Sequence, residues 1–334
     1  MAATKRPSRS AKSTKPDKKS KTPRTGPRVT KPKVRPVAVP APEAAPLQAA
    51  LRESIERDIA ARIEAHQHEI VRIRASVRRG ERQPPLMLLA HGGSWFDYSC
   101  HGNTYTPLSP TDIIVHLREM GNPPPKILNL SHYGDATTDE MGLQKQKRLI
   151  KALSDPNNWL TGRPDAILFS GGGNDIAGDP FCIYLNYKDS GLSGLDADRF
   201  AGRLASIQAS YFDLFLFRDR YAKGVPIFGH GYDNARPMQP HPPCMGPWIR
   251  PSLEFTQWND EEGAAILLDA LTRFRRTLTD LEGSPKKYDF TVVHTEGTLT
   301  KTDWANELHP HPKGFGKLAR KFLSSLQYRF QGRI

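Results

Sequence analysis

Cysteine is scarce: Cys100, Cys182 and Cys244 are the only three in 334 residues. Their odd number and wide separation exclude a disulfide framework and a C-x-x-C zinc ribbon, and they suit a reducing compartment. No apolar run approaches the roughly 20 residues that a bilayer-spanning helix needs, so no transmembrane segment is expected. The start of the chain lacks the apolar core of a secretory signal peptide, and its Lys/Pro-rich texture fits a transit peptide poorly. A cytoplasmic location is therefore expected. No G-x-x-x-x-G-K-[ST] loop and no H-E-x-x-H pair occurs, which removes the main support for a nucleotide hydrolase or a zincin.

Acidic residues are also scarce in one region. Residues 1–46 hold 13 Lys+Arg against only Asp17 and Glu43, together with nine prolines. Of the net charge of +13, this segment carries +11 and the remaining 288 residues carry +2. A segment so poor in aliphatic side chains cannot offset its ordering entropy by burial, so residues 1–46 read as a disordered basic tail. It is either a solubilising tail or an arm in weak contact with a polyanion.

From Leu47 to Arg79 the texture becomes helical. Leu51, Ile55, Ile59, Ile63, Ile70 and Ile73 recur at spacings of three, four or seven, with charges on the other faces. Packing against the main domain is the expected use of this stripe, with dimerisation as the alternative. The expected organisation is a tail (1–46), an amphipathic helix (47–82) and a main domain (83–334).

Beyond residue 86, five short apolar runs alternate with helical stretches. The runs are 86–90, 127–130, 166–169, 225–228 and 290–293; the helical stretches are 109–120, 138–153, 196–220, 260–281 and 312–330. Uninterrupted apolar runs suit strands buried on both faces, and the alternation predicts an α/β fold. The expected form is a three-layer αβα sandwich around a five-stranded parallel, flavodoxin-like sheet. In such sheets ligands bind beyond the carboxyl ends of the strands, where each run here ends in small and polar residues.

Two glycine-rich segments resemble other motifs but miss. Gly92-Gly93-Ser94-Trp95-Phe96 lacks the last glycine of a G-x-S-x-G elbow. Gly171-Gly172-Gly173-Asn174-Asp175-Ile176 lacks the third glycine of a dinucleotide fingerprint. A spread constellation remains: Ser94 after the first run, Gly134 after the second, Asn174 after the third and His309 after the last. Taken singly, each is an ordinary turn or structural residue. Their order along successive strand ends is the signal.

That order resembles the SGNH (GDSL-type) hydrolase superfamily over roughly residues 86–330. The matching blocks are Gly92-Gly93-Ser94, Tyr133-Gly134-Asp135, Gly172-Gly173-Asn174-Asp175 and Asn306-Glu307-Leu308-His309-Pro310. The resemblance implies a serine ester hydrolase with Ser94 as nucleophile and His309 as base. It also implies an oxyanion hole from Ser94, Gly134 and Asn174, with no cofactor and no metal. The substrate would be a small-molecule, lipid or carbohydrate ester. Two positions depart from the family pattern: Gly93 stands where an Asp is usual, and Asn306 where the acid that orients the histidine is usual. Asp303, Asn306 and a backbone carbonyl remain candidates for that orienting role.

Eleven histidines could furnish a zinc site, but carboxylates are not grouped with them and no ligand spacing appears. Trp95, Phe96, Tyr98, Tyr184, Tyr187 and Trp248 are candidates for a pocket wall or for core packing. The proline-rich loop from Gly229 to Glu254 is a candidate cover for the site. A second class of function stays open from sequence: a polyanion-binding protein whose hydrolase-like domain is inactive or weakly active.

Overall fold

The computed structural model describes residues 44–101, 104–105, 110–238, 246–283 and 285–334. The basic tail, apart from its last residues, lies outside the described residues. The chain divides into a unit at Met1–Ala50 and a compact unit at Leu51–Ile334, and the second is the one that follows.

Five strands form the main sheet: β1 (Met87–Gly92), β2 (Lys126–Asn129), β3 (Ala166–Ser170), β4 (Ile227–His230) and β5 (Phe290–Val293). They pair in parallel in the spatial order β2-β1-β3-β4-β5. Every residue of β1, β3 and β4 is buried, as parallel strands covered on both faces require. This is the doubly wound arrangement anticipated from the alternating pattern.

The helices are α1 (Ala44–Arg78), α2 (Ile113–Leu117), α3 (Thr137–Glu140), α4 (Leu143–Ser154), α5 (Gly173–Ile176) and α6 (Ala197–Tyr221). They continue with α7 (Arg250–Phe255), α8 (Asp260–Glu282), α9 (Pro285–Tyr288) and α10 (Pro312–Arg329). Alternation along the strands sorts them into two layers. Phe228 meets Phe330 just beyond α10. Phe169 and Phe290 point to the other face and meet Tyr211 of α6. α2 packs with α10, and α6 with α4 and α8.

Sequence and structure differ in local detail. The expected helix at 138–153 breaks at Gly142, whose extended backbone opens α4. Of the expected helix at 109–120, Ser109 lies outside the described residues; α2 begins at Ile113, where the Asp112 side chain caps it by accepting from the Val115 N–H at 2.8 Å. A small hairpin (Cys100–His101 with Thr104–Tyr105) and α7 had no clear periodicity to announce them.

From Leu51 onward, α1 packs on the compact unit. Ile59, Ile70 and Ile73 are buried, and Ile55 and Ile63 pack against the core, whereas Leu51 is exposed. The helix lies beside the β2 edge, where Glu69 pairs with Lys126 at 2.6 Å and Arg62 donates to the Ser131 carbonyl at 3.3 Å. Covering an edge strand removes a template for unwanted pairing. Ile70→Ala is expected to cost about 2–4 kcal/mol in urea unfolding, and the exposed neighbour Val71→Ala less than about 0.5 kcal/mol. Equal costs would contradict the docking of α1.

Candidate active site

The site sits at the carboxyl end of the sheet, at the crevice between β1 and β3 where the strand order reverses. Gly92 ends β1 opposite Ser170 of β3. A Cβ on Gly92 would stand 2.5 Å from the Ser170 carbonyl oxygen, so only glycine permits this approach. Gly93 then donates to the same carbonyl at 3.0 Å, and the chain turns so that Phe96 N–H donates to Gly93 O. Ser94 is left at the rim of this turn.

His309 reaches the same point from the loop between β5 and α10. Its Nε2 lies 2.7 Å from Ser94 Oγ. Asn306 Oδ1 accepts from the Leu308 N–H at 3.1 Å and the His309 N–H at 2.9 Å, and lies 3.1 Å from His309 Nδ1. Two backbone donors fix that atom as the amide oxygen, so Nδ1 must carry the proton that points at it. Nε2 is then the bare nitrogen, and Ser94 Oγ–H donates to it. The amide's other end donates to the Tyr98 hydroxyl at 3.1 Å. Tyr98 also stacks on the imidazole at 4.1 Å between centroids, and Trp248 meets it edge-on at 5.4 Å. Burial lowers the His309 pKa to about 3.

Of the three candidates for orienting His309, Asn306 is therefore the one at Nδ1. Asp303 is turned elsewhere: its Oδ2 accepts from the Thr300 N–H and hydroxyl, each at 2.7 Å, and from Lys317 Nζ at 2.6 Å. It caps the turn before the histidine loop instead of touching the ring.

Gly134 and Asn174 line one cavity of about 220 Å³ with Ser94 and His309. Gly134 has a φ of +83°, a left-handed conformation that turns the chain after β2. Asn174 Nδ2 donates to the Asp135 carbonyl at 2.8 Å. Next to it, the buried Asp175 carboxylate accepts from the Thr137 N–H at 2.7 Å and hydroxyl at 2.9 Å. The two blocks are thus latched to each other by consecutive residues.

Two carboxyls escaped the sequence reading. Glu307 is buried and accepts from the N–H groups of Met238, Trp248, Ile249 and Arg250, tying the Trp248 segment to the histidine loop. Its place inside the His-Pro block was the one available signal. Glu140 is buried beside the Gly92–Ser94 turn, with no hydrogen-bond partner for either oxygen among the described residues. A Cβ on Gly93 would lie 3.5 Å from Glu140 Oε1, so this carboxyl borders the space left open by the missing side chain at 93. Burial, then the nearby Asp175 and Asp135, hold Glu140 well above the usual carboxylate range.

The aromatic candidates divide. Trp95, Tyr98 and Trp248 line cavities at the site. Phe96 and Tyr184 are core, and Tyr187 is exposed. The proline-rich loop passes through residues 239–245, outside the described residues. The second serine–histidine contact, Ser170 Oγ to His230 Nε2 at 2.9 Å, is sealed in the core. There His230 Nδ1 accepts from the Tyr232 N–H at 3.3 Å, so Nε2 carries the proton and cannot act as base toward Ser170. Among the described residues no group of three or more His, Cys, Asp or Glu side chains could hold a metal ion, and no helix is long and apolar enough to cross a membrane.

No protein-family model matches the chain, and no curated protein matches it. Solved structures do. The lipase Lip_vut3 from a goat rumen metagenome is 15% identical, covering 72% of this chain and 97% of its own, with a TM-score of 0.49. The extracellular lipase of Streptomyces rimosus is 15% identical, covering 71% and 98%, with a TM-score of 0.44. A carbohydrate acetylesterase family member from Sinorhizobium meliloti is 11% identical, covering 73% and 98%, with a TM-score of 0.46. At such identities and scores no chemistry is carried over from them, and the reading of function rests on this chain's own residues.

Glu140 yields a sign-definite prediction. A carboxyl whose folded pKa is raised gives full stability below its unfolded pKa and loses it progressively as pH rises toward the folded value. Glu140→Gln removes that loss. The stability of the variant relative to the native protein is expected to grow from pH 5 to pH 8, with a slope of up to about 1.4 kcal/mol per pH unit in denaturant titrations. A pH-independent difference would contradict a neutral buried Glu140.

Proposed function

We propose that the protein is a serine ester hydrolase of the SGNH type, working through Ser94 and His309 without a cofactor. The observation that carries this reading is the 2.7 Å contact between Ser94 Oγ and a His309 Nε2 left bare by the Asn306 hydrogen bond. A hydroxyl donating to an uncharged, oriented imidazole is the ground state that nucleophilic catalysis needs.

Ser94 Oγ attacks the ester carbonyl carbon while its proton passes to His309 Nε2. The carbonyl oxygen becomes an oxyanion, with the Ser94 and Gly134 N–H groups and the Asn174 amide as its donors. One Asn174 hydrogen is engaged by Asp135 O, and the second serves the oxyanion. A preorganised donor in a low-dielectric site contributes about 3–4 kcal/mol. The tetrahedral intermediate collapses, His309 gives its proton to the departing alcohol oxygen, and an acyl-Ser94 ester remains. His309 then takes a proton from water, whose oxygen attacks the acyl carbon. The second intermediate releases the carboxylic acid and restores Ser94.

Asn306 supplies orientation without charge. The imidazolium formed in each transition state is therefore stabilised less than it would be beside a carboxylate.

A fluorophosphonate probe is expected to label the native protein covalently and Ser94→Ala not at all. Turnover of an activated short-chain ester should fall at least about 10³-fold in the same variant. Full labelling or full turnover without the Ser94 hydroxyl would refute the proposal. The missing charge gives a second prediction. The acid limb of kcat/KM should lie below pH 5, because the neutral imidazole persists far below its ordinary pKa. Asn306→Asp should raise the His309 pKa and move that limb upward by a unit or more, and Asn306→Ala should lower kcat about 10²–10⁴-fold. An unmoved limb in Asn306→Asp would count against Asn306 as the orienting group.

A further inference from the structure

Two recesses share Ser94 in their walls. Ser94, Asn174 and Leu308 line both. The larger, about 220 Å³, is bounded by Tyr98, Ser99, Tyr133 and Trp248, and His309 lines it. The smaller, about 40 Å³, is bounded by Ile176, Ala177, Ile249, Leu267 and Leu271, and His309 is not part of its wall.

An ester has two arms, and general acid catalysis sorts them. His309 must reach the leaving oxygen to protonate it, so the alcohol arm lies on the imidazole side. That side is the larger recess. The acyl arm, across the carbonyl carbon, enters the smaller one. The smaller recess has about a fifth of the larger one's volume, so the acyl arm is the shorter of the two.

The smaller recess also offers no free charge. Asp233 lines it, but its carboxylate accepts from the N–H groups of Asn234, Gly297 and Leu299. The rest of its wall is mostly aliphatic and aromatic, so it suits an uncharged alkyl group. The larger recess presents three aromatic side chains, a wall suited to a ring-sized alcohol.

We propose that the protein hydrolyses short-chain acyl esters of bulky alcohols, with the acyl group in the Ile176–Leu271 recess and the alcohol against Tyr133 and Trp248. This rests on the ester-hydrolase reading above and adds the substrate class. Leu271 and Ala235 set the acyl limit from opposite directions: Leu271 by the volume it occupies, Ala235 by the volume it leaves.

The test compares kcat/KM for the p-nitrophenyl esters of acetate, butanoate and octanoate in the full chain. A methylene that does not fit costs about 10–200-fold. The native protein is expected to prefer acetate or butanoate to octanoate by at least tenfold. Leu271→Ala should narrow that preference at least fivefold, and Ala235→Leu should sharpen it. Because Leu271 is buried, a folded far-ultraviolet spectrum qualifies each variant, and either variant alone tests the direction. Trp248→Ala should slow all three esters by a similar factor, since they share one alcohol. Octanoate turned over as fast as butanoate would overturn the assignment, as would a chain-length preference that moves with Trp248→Ala and not with Leu271→Ala or Ala235→Leu. Fluorophosphonate labelling of Ser94 together with a flat chain-length profile would overturn this inference alone. Absence of both labelling and turnover would overturn the ester-hydrolase reading and this one with it.

Discussion

The side-chain carbonyl of Asn306 gathers three N–H groups: those of Leu308 and His309 from the backbone and Nδ1 of the His309 ring. The remaining geometry of the site follows from that convergence. The two backbone donors decide which end of the amide is oxygen, the oxygen decides the tautomer, and the tautomer leaves Nε2 free to accept from Ser94. An amide substituted for a carboxylate in such a site risks flipping and presenting the wrong tautomer. Here the flip would set the amide N–H₂ against two backbone N–H groups, and burial leaves no water to relieve them. The loop therefore holds the imidazole in one orientation without a charge.

The same economy recurs on the opposite side of the cavity. Asn174 and Asp175 are consecutive, and each hydrogen-bonds to the segment around Gly134: Asn174 to Asp135 and Asp175 to Thr137. Parallel pairing of β1 with both β2 and β3 brings these segments to one edge, and Gly92 allows the closest approach. Glu307 adds the third wall by collecting four N–H groups from the Trp248 side. Backbone donors answered by single side chains set much of the cavity's shape.

The sheet was legible because each strand holds a short, largely apolar run, the pattern expected of parallel strands buried on both faces. The candidate residues Ser94, Gly134, Asn174 and His309 were legible because each follows one of those runs. The tautomer was not legible. Asp303 and Asn306 both precede His309 in the chain, and only the fold of the loop places Asp303 on Lys317 and Asn306 on the ring. Glu140 was hidden for a different reason. It lies in a short helix of polar sequence, and nothing local marks its carboxyl as buried beside Gly93. Long-range packing selects these partners, and spacing in the sequence carries no record of it.

The proposed chemistry of Ser94 depends on which nitrogen of His309 holds the proton. Nitrogen-15 chemical shifts of the His309 ring, followed from pH 8 down to pH 5, measure this directly. The expected result is a neutral ring protonated at Nδ1 throughout that range, with Nε2 bare. A ring protonated at Nε2, or one that titrates near the ordinary histidine value of 6.5, would contradict it.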